Sequence, residues 1–395
     1  MSEVCVARWA LYRLHPGQAA QARGYLAVML GRAGAREWLL PVGGGLDFYL
    51  RAGDEAVTVL LGGEATLERA GWAEAALALV RRYLTRLRRG VLDFDGVEVF
   101  PRGGKKQTKL YGKHVRYARR TRTAPDGRVM REHPELILGW PEAEPDGPTA
   151  CVAAAPRIAV ALHLYYTELW PEIETLLRRW RVPFTLFLTL TREDAELTRR
   201  VLSIFPGSAI RIVENCGRDV RPFLVLLEEG AFDKFEFVCK IHGKRSIGLG
   251  RFPVFGDIVR RAMFLALIAS DQQVQEIIQM FEVDGRIGVI GPARFRVVAD
   301  DAVPRDLLGR NRRAAEAIAA RMGGTALGNG VDYFEGTMFW VRPQALAPLA
   351  RLCLAETAFA PEAGLADGAL EHAIERLFNH TARLAGFGVD EVLVF

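Results

Sequence analysis

The sequence predicts an α/β fold: a mostly parallel, Rossmann-like sheet flanked by helices, preceded by an N-terminal α+β region. Two observations carry this. Beyond residue 157, short apolar runs alternate with segments whose apolar residues recur every three or four positions, the pattern of successive βαβ units. Just before it, at 139–157 (GWPEAEPDGPTACVAAAPR), four prolines interrupt any helix or central strand. That break sets a boundary near residue 150, with an N-terminal region over 1–150 and a second domain over 151–395.

In the N-terminal region, Ala56 to Leu61 reads as a strand, Trp72 to Leu87 as an arginine-rich amphipathic helix, and Val97 to Phe100 as a strand. The second domain opens with IAVALHLYY (158–166), an apolar run suited to a buried parallel strand. A helix follows, with Thr167 as N-cap, Pro171 in the first turn, and Leu169, Ile173, Leu176, Leu177 and Trp180 on one face. Next come the strand PFTLFLTL (183–190), a helix opened by the T-x-x-D pattern from Thr191 to Asp194, and the strand AIRIV (209–213). A loop, ENCGRD, leads to an apolar helix from Val220 to Glu229, closed by Gly230, and to the strand FEFVCKIHG (235–243). In such a sheet, ligands collect at the carboxyl ends of the strands.

Composition narrows the class. The chain has 395 residues, 50% hydrophobic and 25% charged, enough to bury a sizeable core. Its apolar stretches are far shorter than the roughly 20 residues of a membrane-spanning helix, and its first residues lack the layout of a secretory leader, so a cytoplasmic location is expected. Five scattered cysteines with no C-x-x-C pair argue against a disulfide framework and a structural zinc site. A net charge of +5 is mild, but 102–131 holds eleven Lys or Arg with Asp126 among them and Glu132 just beyond. This segment, which includes Tyr111 and Tyr117, suits an anionic membrane surface; a solvated or RNA-attracting face is the alternative.

Polar residues gather at the expected carboxyl edge. They are His163 and Tyr165 after the first strand, Asn215, Arg218 and Asp219 after the third, and Lys240, His242, Lys244, Arg245 and Ser246 at and after the fourth. A period of two puts Lys240 and His242 on one face, where they suit an anionic phosphate; a strand end paired with Asp219 or Glu214 is the structural alternative. In Asn215–Asp219, Gly217 admits positive φ and Asp219 suits a helix cap, while Asn215 and Asp219 suit a nucleotide and Arg218 a diphosphate. Convergence of His163, His242, Cys216 and Asp219 on a metal is disfavoured, because the spacing fits no zinc site and nearby cations repel a divalent ion. Cys216 has no evident base, and no G-x-S-x-G elbow is present. Later, Asp332, Glu335 and Arg342 flank a short strand within 331–343, Asp367 reads as the N-cap of a final helix, and His372 shares a face of that helix with Glu375.

The runs VALHLYY (160–166), PFTLFLTL (183–190), VENCGRDVRPFL (213–224), KIHGKRS (240–246), GTMFWVRP (336–343) and HAIERLF (372–378) together resemble the rhamnan synthesis protein F family, over roughly 155–378. Cys216 stands where a basic or polar residue is common, and Gly243 where Thr is common. The resemblance implies a GT-A-like glycosyltransferase of bacterial surface polysaccharide assembly that takes a sugar, rhamnose or another deoxyhexose, from a nucleotide-sugar donor. Many GT-A enzymes hold a metal on the diphosphate with an acidic D-x-D motif; here the corresponding strand end reads Lys240-Ile241-His242, so cations are expected in the metal's place. The donor then contacts His163, Tyr165, Asn215, Arg218, Asp219, Lys240, His242 and Lys244. Asp367, then Glu335, are the candidates for the acceptor's base, with Asp332, Arg342 and His372 on the acceptor side. The acceptor is lipid-linked or a polysaccharide at the inner face of the cell membrane, and nucleic acid is not an expected partner. The rival reading is a non-catalytic nucleotide-sugar or glycan-binding scaffold.

Overall fold

The computed structural model describes residues 2–16, 25–30, 36–41, 48–61, 65–87, 92–94, 97–102, 121–123, 129–131, 157–243, 255–298, 306–327, 331–355, 359–361 and 367–392. The chain divides into two compact units, one comprising 1–142, 245–262 and 395, the other 143–244 and 263–394. The boundary expected near residue 150 lies outside the described residues, as do most of the basic segment, with Tyr111 and Tyr117, and Lys244, Arg245 and Ser246.

The first unit is built on antiparallel strands: β1 (Ser2–Val6), β2 (Leu11–His15), β3 (Tyr25–Leu30), β4 (Arg36–Pro41), β5 (Phe48–Ala52), β6 (Val57–Leu61) and β7 (Thr66–Arg69), then helix α1 (Trp72–Leu87) and strands β8 (Leu92–Phe94), β9 (Val97–Pro101), β10 (Thr121–Thr123) and β11 (Val129–Arg131). They form a four-stranded sheet in the order β1-β6-β3-β4, a five-stranded sheet in the order β7-β2-β5-β9-β8 and a β10-β11 ladder. The alternation in β2, β5 and β9 turns Leu11, Tyr49 and Phe100 toward Ala78 of α1 in a small apolar cluster.

The second unit carries a seven-stranded mixed sheet. Its elements are β12 (Ile158–His163), α2 (Trp170–Leu177), β13 (Phe184–Leu190), α3 (Ala195–Ile204), β14 (Ala209–Ile212), α4 (Val220–Glu228) and β15 (Phe237–His242). After α5 (Phe255–Leu267) come α6 (Asp271–Val283), β16 (Ile287–Pro292), β17 (Arg296–Val297), α7 (Arg312–Arg321), β18 (Tyr333–Phe334), β19 (Phe339–Val341), α8 (Ala347–Ala350), α9 (Leu370–Glu375), α10 (Phe378–Leu384) and β20 (Gly388–Val392). The strand order is β14-β13-β12-β15-β19-β16-β20. Neighbours pair in parallel except at β19, which runs antiparallel to both β15 and β16. β12 and β15 are buried along their whole length, because helices cover both faces.

One face of the sheet packs under α4, α7, α9 and α10 through Phe223, Leu224, Ile318, Ile374 and Phe378. Elsewhere Trp180 and Trp340 stack with centroids 5.6 Å apart, and their indole N–H groups donate to the Ile268 and Leu267 carbonyls at 3.1 Å each. These two bonds satisfy the only polar atom on each buried ring.

Two helix starts differ from the sequence reading. Thr167 opens a short 3-10 turn, Thr167–Leu169, ahead of α2, and makes no cap. At α3, Asp194 is itself the N-cap, accepting the Leu197 N–H at 2.9 Å, so the pattern begins with the aspartate and not with Thr191. In both cases the chain leaves the strand by a few extra residues before the helical turns close.

Candidate functional site at the carboxyl edge of the sheet

The register of β12 and β15 puts His163 directly opposite His242, at the carboxyl ends of adjacent parallel strands. Both side chains are buried, and Lys240, two residues before His242, is 1% exposed. The reversed direction of β19 then brings the preceding turn, Gly336–Thr337, to the same edge, since Lys240 pairs with Phe339. Lys240 Nζ donates to Asp219 Oδ2 at 2.6 Å and to the Thr337 carbonyl at 2.8 Å. The Thr337 hydroxyl donates to the same Asp219 oxygen. His242 Nε2 bonds the Gly336 carbonyl at 2.9 Å and lies 3.7 Å from Asp219 Oδ2. Glu375, from α9, accepts the Gly336 N–H at 2.9 Å.

Burial by itself would raise the Asp219 carboxyl, but His242, Lys240 and the hydrogen bonds from Lys240 and Thr337 more than offset it and hold the group ionised, well below the usual carboxylate range. His163, which hydrogen-bonds the Thr189 hydroxyl through Nδ1 at 3.0 Å, moves the other way. Burial, assisted by the charges of His242 and Lys240 against that of Asp219, lowers it to about 4, so it is neutral at pH 7.

At the rim of this network stands Arg218, with φ +52°, after Gly217 at φ +66°. Left-handed backbone suits glycine but not arginine, and Thr337, across the network, has φ +51° as well. Strain of this kind persists where surrounding contacts over-determine it, and it clusters at functional sites. Arg218 points Nη1 at His372 Nε2, 3.0 Å away, with Nε 3.8 Å from Glu371. The other ring nitrogen of His372, Nδ1, faces the Ala369 N–H at 3.2 Å. Burial first, then the Arg218 charge, lowers the His372 pKa, with Glu371 and Asp367 opposing, so the ring is neutral and carries one proton. Its one acceptor nitrogen serves either the Arg218 guanidinium at Nε2 or the Ala369 N–H at Nδ1, according to the tautomer. The Arg218 guanidinium, 37% exposed, is the cation at this edge suited to an anionic oxygen.

Several expectations need correcting against this geometry. Lys240 does not face outward toward a phosphate; its ammonium is consumed by Asp219 and the Thr337 carbonyl, the structural alternative weighed for this strand end. Asp219 occupies the N-cap position of α4 but makes no side-chain cap bond, because its carboxylate serves Lys240. Asp367 is not the cap of α9, which is Ala369. It accepts from Asn311 at 2.6 Å and Arg376 at 3.1 Å. Asp332 is buried between Arg296, at 3.0 Å, and Arg383, and accepts from Asn379 at 3.2 Å, which leaves it structural. Arg342 lies at the opposite edge of the sheet, because β19 runs antiparallel; it donates to the Ile287 and Phe281 carbonyls at 3.0 and 2.6 Å and sits over the Phe237 and Phe281 rings. For Cys216, which was not expected to act as a nucleophile, burial pushes the thiol up, away from thiolate chemistry.

The exposed side chains of Asn215, Tyr165 and Glu335 lie on carboxyl-edge loops, with the Tyr165 ring packed edge-on to Tyr166. The contributions of Gly336 and Thr337 were missed, their one sequence signal being a Gly-Thr pair at the head of an apolar run, and Glu375 was read only as sharing a helix face with His372. Among the described residues no group of three or more His, Cys, Asp or Glu is arranged to hold a metal ion.

A family model described as rhamnan synthesis protein F matches residues 146–386, which takes in this whole edge. The chain belongs to the rhamnan synthesis protein F family. Membership associates it, at the coarse level, with rhamnan and polysaccharide synthesis. Two relatives from strains of Xanthomonas campestris pv. campestris, one of them strain B100, each carry the name "Uncharacterized protein WxcX" and are 28% identical over 274 residues. The match covers 68% of this chain but 38% of each relative, so the chain spans well under half the length of these relatives.

Proposed function

We propose that the second unit is a GT-A-like glycosyltransferase domain that moves a sugar, rhamnose or another deoxyhexose, from a nucleotide-sugar donor to a bacterial surface polysaccharide or its lipid-linked precursor. The observation that carries this reading is the Arg218–His372 pair, 3.0 Å apart, at the carboxyl edge of an α/β sheet where such ligands bind. A diphosphate oxygen beside the pair accepts from the Arg218 guanidinium, which His372 orients. As the sugar C1–O bond to the diphosphate breaks, the leaving group gains negative charge, and a preformed guanidinium stabilises that charge more than the ground state.

In this mechanism Lys240 and Asp219 are positioning residues. The buried pair fixes the Gly336–Thr337 turn and the left-handed Arg218, with no direct phosphate contact. Asn215 and Tyr165, exposed on the neighbouring loops, are placed to address the nucleotide. The acceptor hydroxyl forms the new bond to C1 and gives its proton to a carboxylate. Glu335 suits this better than Asp367, because Glu335 is exposed beside the Gly336 turn, whereas hydrogen bonds from Asn311 and the Arg376 charge outweigh burial and lower the Asp367 pKa, making it a weaker base.

The test is calorimetric titration with the diphosphates of uridine, thymidine, guanosine and cytidine, in EDTA and in magnesium, for the native chain, Arg218→Ala and His372→Phe. Saturable binding of one diphosphate in EDTA, weakened about tenfold or more in both variants, is expected. Binding seen only with magnesium overturns the metal-independent mechanism, and no binding of any diphosphate overturns the donor site in favour of a scaffold.

A further inference from the structure

Helix α1 (Trp72–Leu87) is packed the reverse way round. An amphipathic helix on a sheet normally turns its apolar stripe inward. Here the inward side is small or charged: Ala78 is buried, Glu74 accepts from Arg13 Nε at 2.8 Å and from the Tyr49 hydroxyl at 2.7 Å, and Arg82 pairs with Glu98, which also meets Arg51 at 3.3 Å. The large apolar residues whose side chains are described face out. Trp72 is 88% exposed, Tyr83 63%, Val80 59%, Leu77 57% and Leu79 41%. At about 100° per residue, Leu79, Trp72, Tyr83, Ala76 and Val80 share an arc of about 100°, with Leu77 at its margin. An exposed apolar stripe of this extent on a helix marks an interaction site.

Charge decides what covers it. Glu74 is the single acid of α1 and is turned inward, so nothing on the stripe opposes an anionic or apolar partner. The sequence at the end of the helix and beyond it is strongly basic: 81–89 contains five arginines, of which Arg82 is held by Glu98, and 102–131 contains eleven Lys or Arg against Asp126 alone. A second copy of this chain carries the same basic excess and is the less complementary partner. An anionic bilayer satisfies both features at once, since acyl chains and headgroups accommodate the Trp, Tyr, Leu and Val side chains and the lipid phosphates attract the basic residues. With 16 residues the helix is too short to span a membrane, and among the described residues no helix is long and apolar enough to do so. We propose that α1 is a membrane-docking helix that lies in the plane of an anionic bilayer surface with Trp72, Leu79, Val80 and Tyr83 inserted at the headgroup boundary.

The experiment is sedimentation of the full chain with vesicles of phosphatidylcholine, with and without phosphatidylserine, beside the triple variant Leu79→Glu/Val80→Glu/Tyr83→Glu, with analytical ultracentrifugation of both proteins. The expected result is binding that requires phosphatidylserine and falls more than tenfold in the triple variant. Native-like binding by the variant, or no binding by the native chain, overturns the proposal, and a native dimer that the variant dissolves without any vesicle binding assigns the stripe to a second copy instead. All three substituted side chains are exposed, so the fold should persist. Should the variant nonetheless fail to fold, quenching of native tryptophan fluorescence by brominated lipid, expected to be lost in Trp72→Phe, keeps the test decisive: equal quenching in both proteins overturns it.

Discussion

Lys240 Nζ and Asp219 Oδ2 stand 2.6 Å apart, joining the end of one strand to the start of the helix that precedes it, with the lysine 1% exposed and packed near the Phe223 and Phe339 rings, 5.5 and 5.8 Å from their centroids. The pair turns a carboxylate that would ordinarily cap α4 into the counter-ion of a buried ammonium. It also anchors Thr337, whose hydroxyl and carbonyl it holds, next in the fold to Arg218, the residue that precedes Asp219.

Replacing one partner strands the other charge in a low-dielectric interior. Lys240→Met should lower unfolding free energy by about 3–5 kcal/mol, while the double variant Lys240→Met/Asp219→Leu should recover part of that loss. Urea denaturation checks this, and a single-variant loss below about 1 kcal/mol would show that the pair is not held as described.

His163 gives the fold a pH dependence with a definite sign. Its folded pKa of about 4 lies below the unfolded value of about 6.5. The unfolded chain therefore binds the extra proton between these limits, and stability rises with pH through that window and is flat above it. Acidifying from pH 6.5 to 4 should cost up to about 3 kcal/mol from this residue alone. In His163→Gln that part of the slope should vanish from denaturation curves taken across the window; an unchanged slope would refute the assignment.

Arg218 separates function from stability. At φ +52° a glycine is easier to accommodate than any side chain, so Arg218→Gly should be about 1 kcal/mol more stable than Arg218→Ala. Both should lose diphosphate affinity alike. Thermal melts paired with the calorimetric titrations read the two effects independently, and equal stabilities would argue that the left-handed turn is not kept in solution.

Gly217 is required for space as well as for its φ of +66°. A Cβ there would lie 2.5 Å from Phe359 Cδ1 and 2.6 Å from Arg221 Cβ. Arg221 sits in α4 and is tied by Nε to the Ala355 carbonyl at 2.6 Å, so it has little room to yield. Gly217→Ala should cost about 1–3 kcal/mol and weaken diphosphate binding with it. A melting temperature within error of the native value would count against this turn.

Much of the second unit was legible because its strands are buried on both faces and therefore read as continuous apolar runs, as in β12 and β15. The helix from Trp72 to Leu87 was legible in its limits, through an apolar stripe at helical spacing. By contrast, β16 (Ile287–Pro292) left no such trace, and the reason is packing. Gly291 lies where a Cβ would meet the Phe334 ring at 2.5 Å, and Gly288 where one would meet Phe387 Cβ at 2.5 Å. Close approach demands glycine at both positions, and glycine erases the strand pattern.

From its sequence alone, this protein declares an alternation of strands and helices, a cluster of polar side chains at the carboxyl edge, and Lys240 and His242 on a common face, because periodicity and strand length are local properties of the chain. Which partner each side chain takes is decided by the tertiary structure. Lys240 meets an aspartate 21 positions away and a carbonyl 97 positions away, the antiparallel course of the three-residue strand β19 carries Arg342 to the far edge, and α1 turns its apolar stripe outward. Each outcome depends on burial and on strand direction, which arise only when distant segments compete for the same interior.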